Sequence, residues 1–175
     1  MSDGRVSNKG RVVKEDYQKF KKINKNQFIA FSGNKDLCEE IANQIPLQNS
    51  KYDLQKIARE IFTVMKLIPF GENNSMSFGI GGIGLNGKIE FFTMRSDWAE
   101  IKHYNPDNPK EVDCSLFTSD FIDSEVAHKK MRELNYEFDI STTSGCVKAQ
   151  KKLNDFVASK DSTVNKNTFK LIIKN

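Results

Sequence analysis

A string of glycines in the middle of the chain matches a nucleotide-binding pattern by its spacing. Gly79, Gly81 and Gly84 fit G-x-G-x-x-G, in which the glycines let a turn approach a pyrophosphate closely. That site needs a helix immediately after the glycines, because the helix N-terminus binds the phosphates. Here the string is followed by an Asn-Gly turn and an alternating apolar pattern, which predict a hairpin. We therefore expect a glycine-rich strand that lies close to another backbone, and no cofactor.

Residues that bind metals or form disulfides are few and widely spaced. His103, in a loop-like segment, and His128, on a predicted helix, are the only histidines, and neither has a second ligand at a convincing spacing. The cysteines Cys38, Cys114 and Cys146 form no C-x-x-C pair, and their odd number argues against a disulfide framework. We expect surface histidines, a buried Cys38 and no metal site.

The positive charge of the chain is concentrated at its N-terminus. Residues 1–26 carry eight Lys or Arg and three Asp or Glu, a net charge of +5, and the remaining nineteen and twenty give −1. Such a segment can bind phosphates. Its Tyr17 and Phe20 are not interleaved with the basic residues in a way that suits base stacking. We expect a solvated hairpin face and keep nucleic-acid binding as a distant alternative.

Length and composition predict one domain over residues 1–175. The hydrophobic fraction of 38% and the charged fraction of 29% are ordinary for a globular protein of a size that buries a substantial core. The sequence contains no run of eighteen apolar residues, which argues against a membrane partner, and the N-terminus lacks the apolar segment of a signal peptide. We expect a cytoplasmic protein.

Helical periodicity predicts four helices, which form two consecutive pairs along the chain. The first spans about 35–45, and the second spans 54–66 with Asp53 as its N-cap. The third begins near 123–124, and the fourth begins after Ser144-Gly145.

Strand-like patterns separate these pairs of helices. The predicted strands cover 28–31, Met76–Ile83, 88–94, 113–117 and 168–173. The chain shows no strand–helix–strand alternation, which argues against a doubly wound parallel sheet. We expect an α+β fold, arranged as a four-layer α/β/β/α sandwich of antiparallel sheets.

The first 33 residues resemble the opening of proteasome-type N-terminal-nucleophile (Ntn) hydrolases. Asp3 is followed by a small residue and an arginine, and Lys19 comes sixteen positions later, close to a Lys-Lys-Ile run. A polar turn at 24–27 then leads into an apolar strand that ends at Gly33. These motifs, with the order of the later elements, are similar to those of proteasome β-subunits and the bacterial HslV protease.

The resemblance implies an amide hydrolase. An N-terminal Thr, Ser or Cys would be the nucleophile, with its own α-amine as the base. Lys19 would supply the ammonium that lowers the pKa of the nucleophile and stabilises negative charge, and Asp3 would orient that ammonium. The resemblance also implies a peptide or amide substrate and a homo-oligomer.

Three features depart from the family pattern. No nucleophile-bearing strand precedes Asp3 in this sequence, and Ser119 is the only stand-in for the serine expected before the third helix. The late Asp-x-x-Ser-Gly signature keeps Asp161 but has Val164 in place of serine. We therefore expect either a threonine-type peptidase whose nucleophile is absent from this sequence, or a catalytically inactive structural or assembly subunit of the same fold.

Overall fold

A computed structural model describes residues 1–8, 11–69, 71, 74–106, 116 and 122–173. Over these residues the protein has an α+β fold, with four helices and antiparallel strand pairs. In chain order the elements are β1 Ser2–Asp3, β2 Val6–Asn8, β3 Arg11–Lys14, β4 Phe20–Asn24, β5 Gln27–Gly33, α1 Lys35–Asn43, α2 Leu54–Leu67, β6 Met76–Ile83, β7 Ile89–Arg95, β8 Lys102–Tyr104, α3 Ser124–Glu137, α4 Thr143–Ala158 and β9 Thr168–Phe169. None of the helices in these ranges is long and apolar enough to cross a membrane.

The chain divides into two compact units, which we describe separately. The first combines Met1–Lys19 with the described residues of 108–171, and the second combines the described residues of 20–107 with 172 and 173. The expectation of one domain over residues 1–175 stays a prediction.

The second unit is built on a five-stranded antiparallel sheet in the order β4-β5-β6-β7-β8. Helix α1 packs on β5, and α2 packs on β6 and β7. Alternation along β5 buries Gln27, Ile29 and Phe31, as expected for a strand with one face against a core. The same core receives the apolar stripe of α2, which includes Ile57 and Ile61.

Two glycines show why the glycine string forms a strand and a turn. Gly82 in β6 has a φ of 136°, and a Cβ atom there would collide with the carbonyl oxygen of Asn26. Gly87, with a φ of 79°, lies in the hairpin turn between β6 and β7. The prediction of a glycine-rich strand close to another backbone is therefore confirmed.

The first unit has a core between α3 and α4. Its buried centre consists of Met131, Leu134, Ala149 and Leu153. Two small sheets belong to the same unit, because β1 pairs with β9 and β2 pairs with β3, both antiparallel. The pairing of β1 with β9 joins Ser2 to Phe169 and Asp3 to Thr168, so the start of the described chain lies against its end.

Several predicted boundaries were wrong. Helix α1 ends at Asn43, two residues short of the predicted end, and β9 covers only Thr168–Phe169 of the predicted 168–173. Helix α4 begins at Thr143 because the side chain of Thr142 accepts a hydrogen bond from the backbone N–H of Gly145. The predicted start after residue 145 was therefore too late. Of the strand predicted over 113–117, only residue 116 lies within the described residues, and it is not in a strand.

Candidate functional site

The structure brings together the two residues on which the family resemblance depends. The Nζ atom of Lys19 donates a hydrogen bond to Oδ2 of Asp3 at 2.7 Å. The two side chains are 19% and 13% exposed, so this ion pair is largely withdrawn from solvent. Asp3 lies in β1, and Lys19 directly precedes β4.

A local turn fixes the orientation of the Asp3 carboxylate. Its second oxygen, Oδ1, accepts a hydrogen bond from the backbone N–H of Arg5 at 2.9 Å. This is the geometry of an Asx-turn, in which an aspartate side chain binds the backbone two residues later. One oxygen therefore holds the backbone, and the other holds the ammonium.

Gly4, between Asp3 and Arg5, is one of the points where the N-terminal segment contacts the rest of the unit. Its N–H donates to the carbonyl oxygen of Asn167 at 2.9 Å and to Oδ1 of Asn165 at 3.0 Å. Its carbonyl oxygen accepts from the N–H of Tyr17 at 2.8 Å. A Cβ atom at Gly4 would lie 2.8 Å from the carbonyl oxygen of Glu15, so the close approach of these two segments requires glycine.

Arg5 forms a second charged contact beside the first. Its Nη2 and Nε donate to the two carboxylate oxygens of Glu15 at 2.8 and 3.1 Å, and its Nη1 donates to the carbonyl oxygen of Ser162. A bidentate arginine–carboxylate contact fixes the relative orientation of the two side chains. The Arg5 guanidinium and then the Asn165 amide lower the pKa of the Glu15 carboxyl below its ordinary value.

Asn165 is buried, with 6% of its surface exposed. Its Oδ1 accepts a hydrogen bond from the N–H of Gly4. Its Nδ2 donates to the carbonyl oxygen and to Oε2 of Glu15 at 2.7 and 2.6 Å. Its own carbonyl oxygen accepts from Nδ2 of Asn154 in α4. This side chain therefore joins the loop after α4 to the N-terminal segment.

Asp161, the other described residue assigned to the site from the resemblance, begins this loop. It is 2% exposed, and its Oδ1 accepts hydrogen bonds from the N–H and the hydroxyl of Thr163 at 2.7 and 2.6 Å. These contacts shape the turn that leads to Asn165. Ser119, the serine candidate, and Cys114 lie outside the described residues.

Both histidines and Cys38 lie in regular secondary-structure elements. His128 is exposed on α3, whereas His103 lies in β8 and stacks on Phe92 with ring centroids 4.3 Å apart. The expectation that His103 lies in a loop was therefore wrong. Cys38 is buried as expected, and burial raises the pKa of its thiol to about 12. Among the described residues, no three His, Cys, Asp or Glu side chains are grouped to hold a metal ion.

The arrangement can present a lysine ammonium at a fixed position. An ammonium has three N–H donors, and the one that binds Asp3 orients the group, so that the others can donate to a nearby oxygen. The residues that stabilise this geometry, Glu15 and Asn165, were not identified from the sequence. The only local signal was a polar residue at 165, directly after Val164.

A comparison with models of known protein families finds no match for this chain, and a comparison with curated protein sequences also finds none.

Proposed function

We propose that this chain has a proteasome-like Ntn-hydrolase fold, arranged as a four-layer α/β/β/α sandwich, and that its Lys19–Asp3 pair serves amide hydrolysis. The observation that carries the proposal is the 2.7 Å contact between two side chains that are each less than one-fifth exposed. The antiparallel sheets and the two pairs of helices support the fold. A cytoplasmic location and homo-oligomeric assembly are part of the proposal.

In the proposed chemistry, an N-terminal residue and the Lys19–Asp3 pair have different roles. The hydroxyl or thiol of an N-terminal Thr, Ser or Cys attacks the amide carbonyl, and its α-amine takes the proton. The Lys19 ammonium favours the deprotonated nucleophile and the oxyanion electrostatically. Asp3 holds that ammonium in place, and the leaving amine receives the proton before water releases the acyl group.

A catalytically inactive structural subunit is the second candidate, and the loop after α4 favours it. Asp161 uses Oδ1 to bind Thr163 within its own loop, and Val164 has no group that can hydrogen-bond through its side chain. A scaffold of this kind would keep the ion pair for stability alone. Both candidates predict a homo-oligomer, which light scattering of the purified protein can measure.

The first experiment identifies the mature N-terminus of the protein purified from its native host, by intact mass and N-terminal sequencing. The hydrolase requires an N-terminal Thr, Ser or Cys on a strand that precedes Asp3. A native terminus at Met1 or Ser2, together with no hydrolysis of peptide amides, would exclude the hydrolase and leave the structural subunit.

The second experiment tests the role of Lys19 in that native form, with an N-capped peptide amide as substrate. We expect Lys19→Ala to abolish hydrolysis, since electrostatic stabilisation of this kind contributes about a hundredfold or more to the rate. Lys22→Ala is the matched control, because Lys22 is an exposed lysine of β4. Full activity in the Lys19 variant would refute the assigned role.

A further inference from the structure

One buried amide connects the loop after α4 with two separate points of the N-terminal segment. Asn165 binds Gly4 through its oxygen, and it binds Glu15 through its nitrogen. These partners are 161 and 150 positions away along the chain. The Asn165 side chain is 6% exposed, so its own polar atoms are largely shielded from water, whereas the Glu15 carboxylate is exposed.

Both contacts of Asn165 lead to Asp3 through intervening residues. Gly4 follows Asp3 in the chain, so a fixed N–H at Gly4 fixes the backbone at the carbonyl end of Asp3. Glu15 holds the guanidinium of Arg5, whose backbone N–H donates to the Asp3 carboxylate at 2.9 Å. The other carboxylate oxygen carries the lysine ammonium. Two chains of contacts therefore run from Asn165 to the carboxylate that holds the ammonium.

We propose that Asn165 is a positioning residue, which holds the Asp3 carboxylate in the orientation that presents the Lys19 ammonium. The purpose of that ammonium rests on the proposed function, whereas the positioning itself does not. The aliphatic side chain of Val164 cannot make such hydrogen bonds, and the amide of the next residue makes them.

A carboxamide is the group that this position requires. Its oxygen accepts from a backbone N–H while its nitrogen donates to a carboxylate. Aspartate has nearly the same shape, but it has no N–H donors and would place a second negative charge beside Glu15. Asn165→Asp therefore removes the contact to Glu15 with little change in volume.

The test measures how fast Lys19 is acylated by a succinimidyl ester in the full chain, relative to exposed Lys151 of α4. Peptide mass spectrometry gives both rates in one sample. We expect Asn165→Asp to raise the ratio about tenfold, because the ammonium loses an interaction equivalent to one hydrogen bond to a charged group. Asn167→Asp is the matched control: it adds the same charge two residues away, and its side chain reaches the Glu15 carbonyl oxygen only at 3.4 Å. We expect this control to change the ratio less than about twofold.

A rescue variant separates positioning from general damage to the fold. Glu15→Gln combined with Asn165→Asp exchanges the amide and the carboxylate, so an N–H donor again faces a carboxylate and the net charge is unchanged. We expect the acylation ratio to fall to about half of its raised value or lower, since the hydrogen bond between the two side chains is restored. The recovery is partial, because a glutamine at position 15 offers only one oxygen to the Arg5 guanidinium, and an aspartate at position 165 cannot donate to the backbone carbonyl oxygen of residue 15. If Asn165→Asp does not fold, Asn165→Ser removes the amide that binds Gly4 and Glu15, and provides the same measurement.

An unchanged ratio in Asn165→Asp or Asn165→Ser would overturn the proposal, and so would an equal rise of the ratio in the Asn167→Asp control, which would attribute the change to added charge or to a loss of overall stability. The assay needs no enzymatic activity. A selective rise at Lys19 in a protein that hydrolyses no amide would keep the positioning role and count against the proposed hydrolase.

Discussion

The strongest quantitative prediction concerns the coupling between Asp3 and Lys19. At 2.7 Å and an effective dielectric constant of about 20, the two charges attract each other by about 6 kcal/mol. Most of this is offset, because both side chains lose much of their hydration. Removing one partner of a buried pair costs about 3–5 kcal/mol, whereas exposed pairs contribute about 0–1 kcal/mol. With the exposed fractions of 19% and 13%, we expect an intermediate coupling of about 1.5 kcal/mol.

A double-mutant cycle measures this value. Asp3→Asn, Lys19→Met and the double variant are unfolded in urea at pH 7, and the free energies of unfolding are compared. Asparagine keeps an acceptor for the backbone N–H of Arg5, so the cycle isolates the charge contact. The matched control is the Lys130–Glu133 pair on α3, which has a 3.0 Å contact but side chains 31% and 51% exposed. We expect about 0.3 kcal/mol for that control. A coupling below about 0.5 kcal/mol for the first pair would refute our view that the site shields it.

Three other predictions concern a glycine, a thiol and a carboxyl group. Gly82→Ala should lower the free energy of unfolding in urea by about 3 kcal/mol or more, because its φ of 136° and the nearby carbonyl oxygen exclude a side chain. Gly87→Ala, with a φ of 79° and no atom within 4 Å of the new Cβ, should cost about 1 kcal/mol, and equal losses would contradict this reasoning. Cys38, whose thiol has a pKa of about 12, should resist iodoacetamide at pH 8 in the folded protein; rapid labelling in peptide maps would contradict its burial. The pKa of Glu15 is lowered in the folded state, so its contact with Arg5 should be complete above the ordinary value of 4.5 and weaken as pH falls through the lower folded value. The hydrogen-exchange protection factors of residues 1–8, which are corrected for the intrinsic pH dependence of amide exchange, should therefore fall in acid, and Glu15→Gln should remove that fall.

Elements with local signals were predicted well from the sequence. Helix α2 has Asp53 as its N-cap, and the side chain accepts from the N–H of Lys56 as such caps do. Strand β6 has the predicted bounds Met76–Ile83, because an apolar run and an Asn-Gly turn are both local patterns. The short strand β8 was missed, since its three residues, including exposed His103, are held by pairing with β7.

The candidate site also contains some residues that could be predicted from the sequence and others that could not. Asp3 and Lys19 were predicted together from a resemblance in one short segment, and the structure places them in contact. Asn165 could not be predicted, because the partners of its side chain lie at least 150 positions away and no local pattern marks a side chain that bridges distant segments. Glu15 was counted among the charges of a solvated hairpin, although its carboxylate binds Arg5 and Asn165.

The pairing of β1 with β9 has a consequence for synthesis of the protein on the ribosome. Ser2 pairs with Phe169 and Asp3 pairs with Thr168. Strand β1 can therefore pair only after β9 has been translated, about ten to thirty seconds later at usual rates. Residues 20–106 emerge in between and contain all five strands of the larger sheet. Nascent chains that stall before residue 161 would therefore leave β1 without its partner strand, and binding of residues 1–8 by a chaperone or their cleavage by a protease would report the delay.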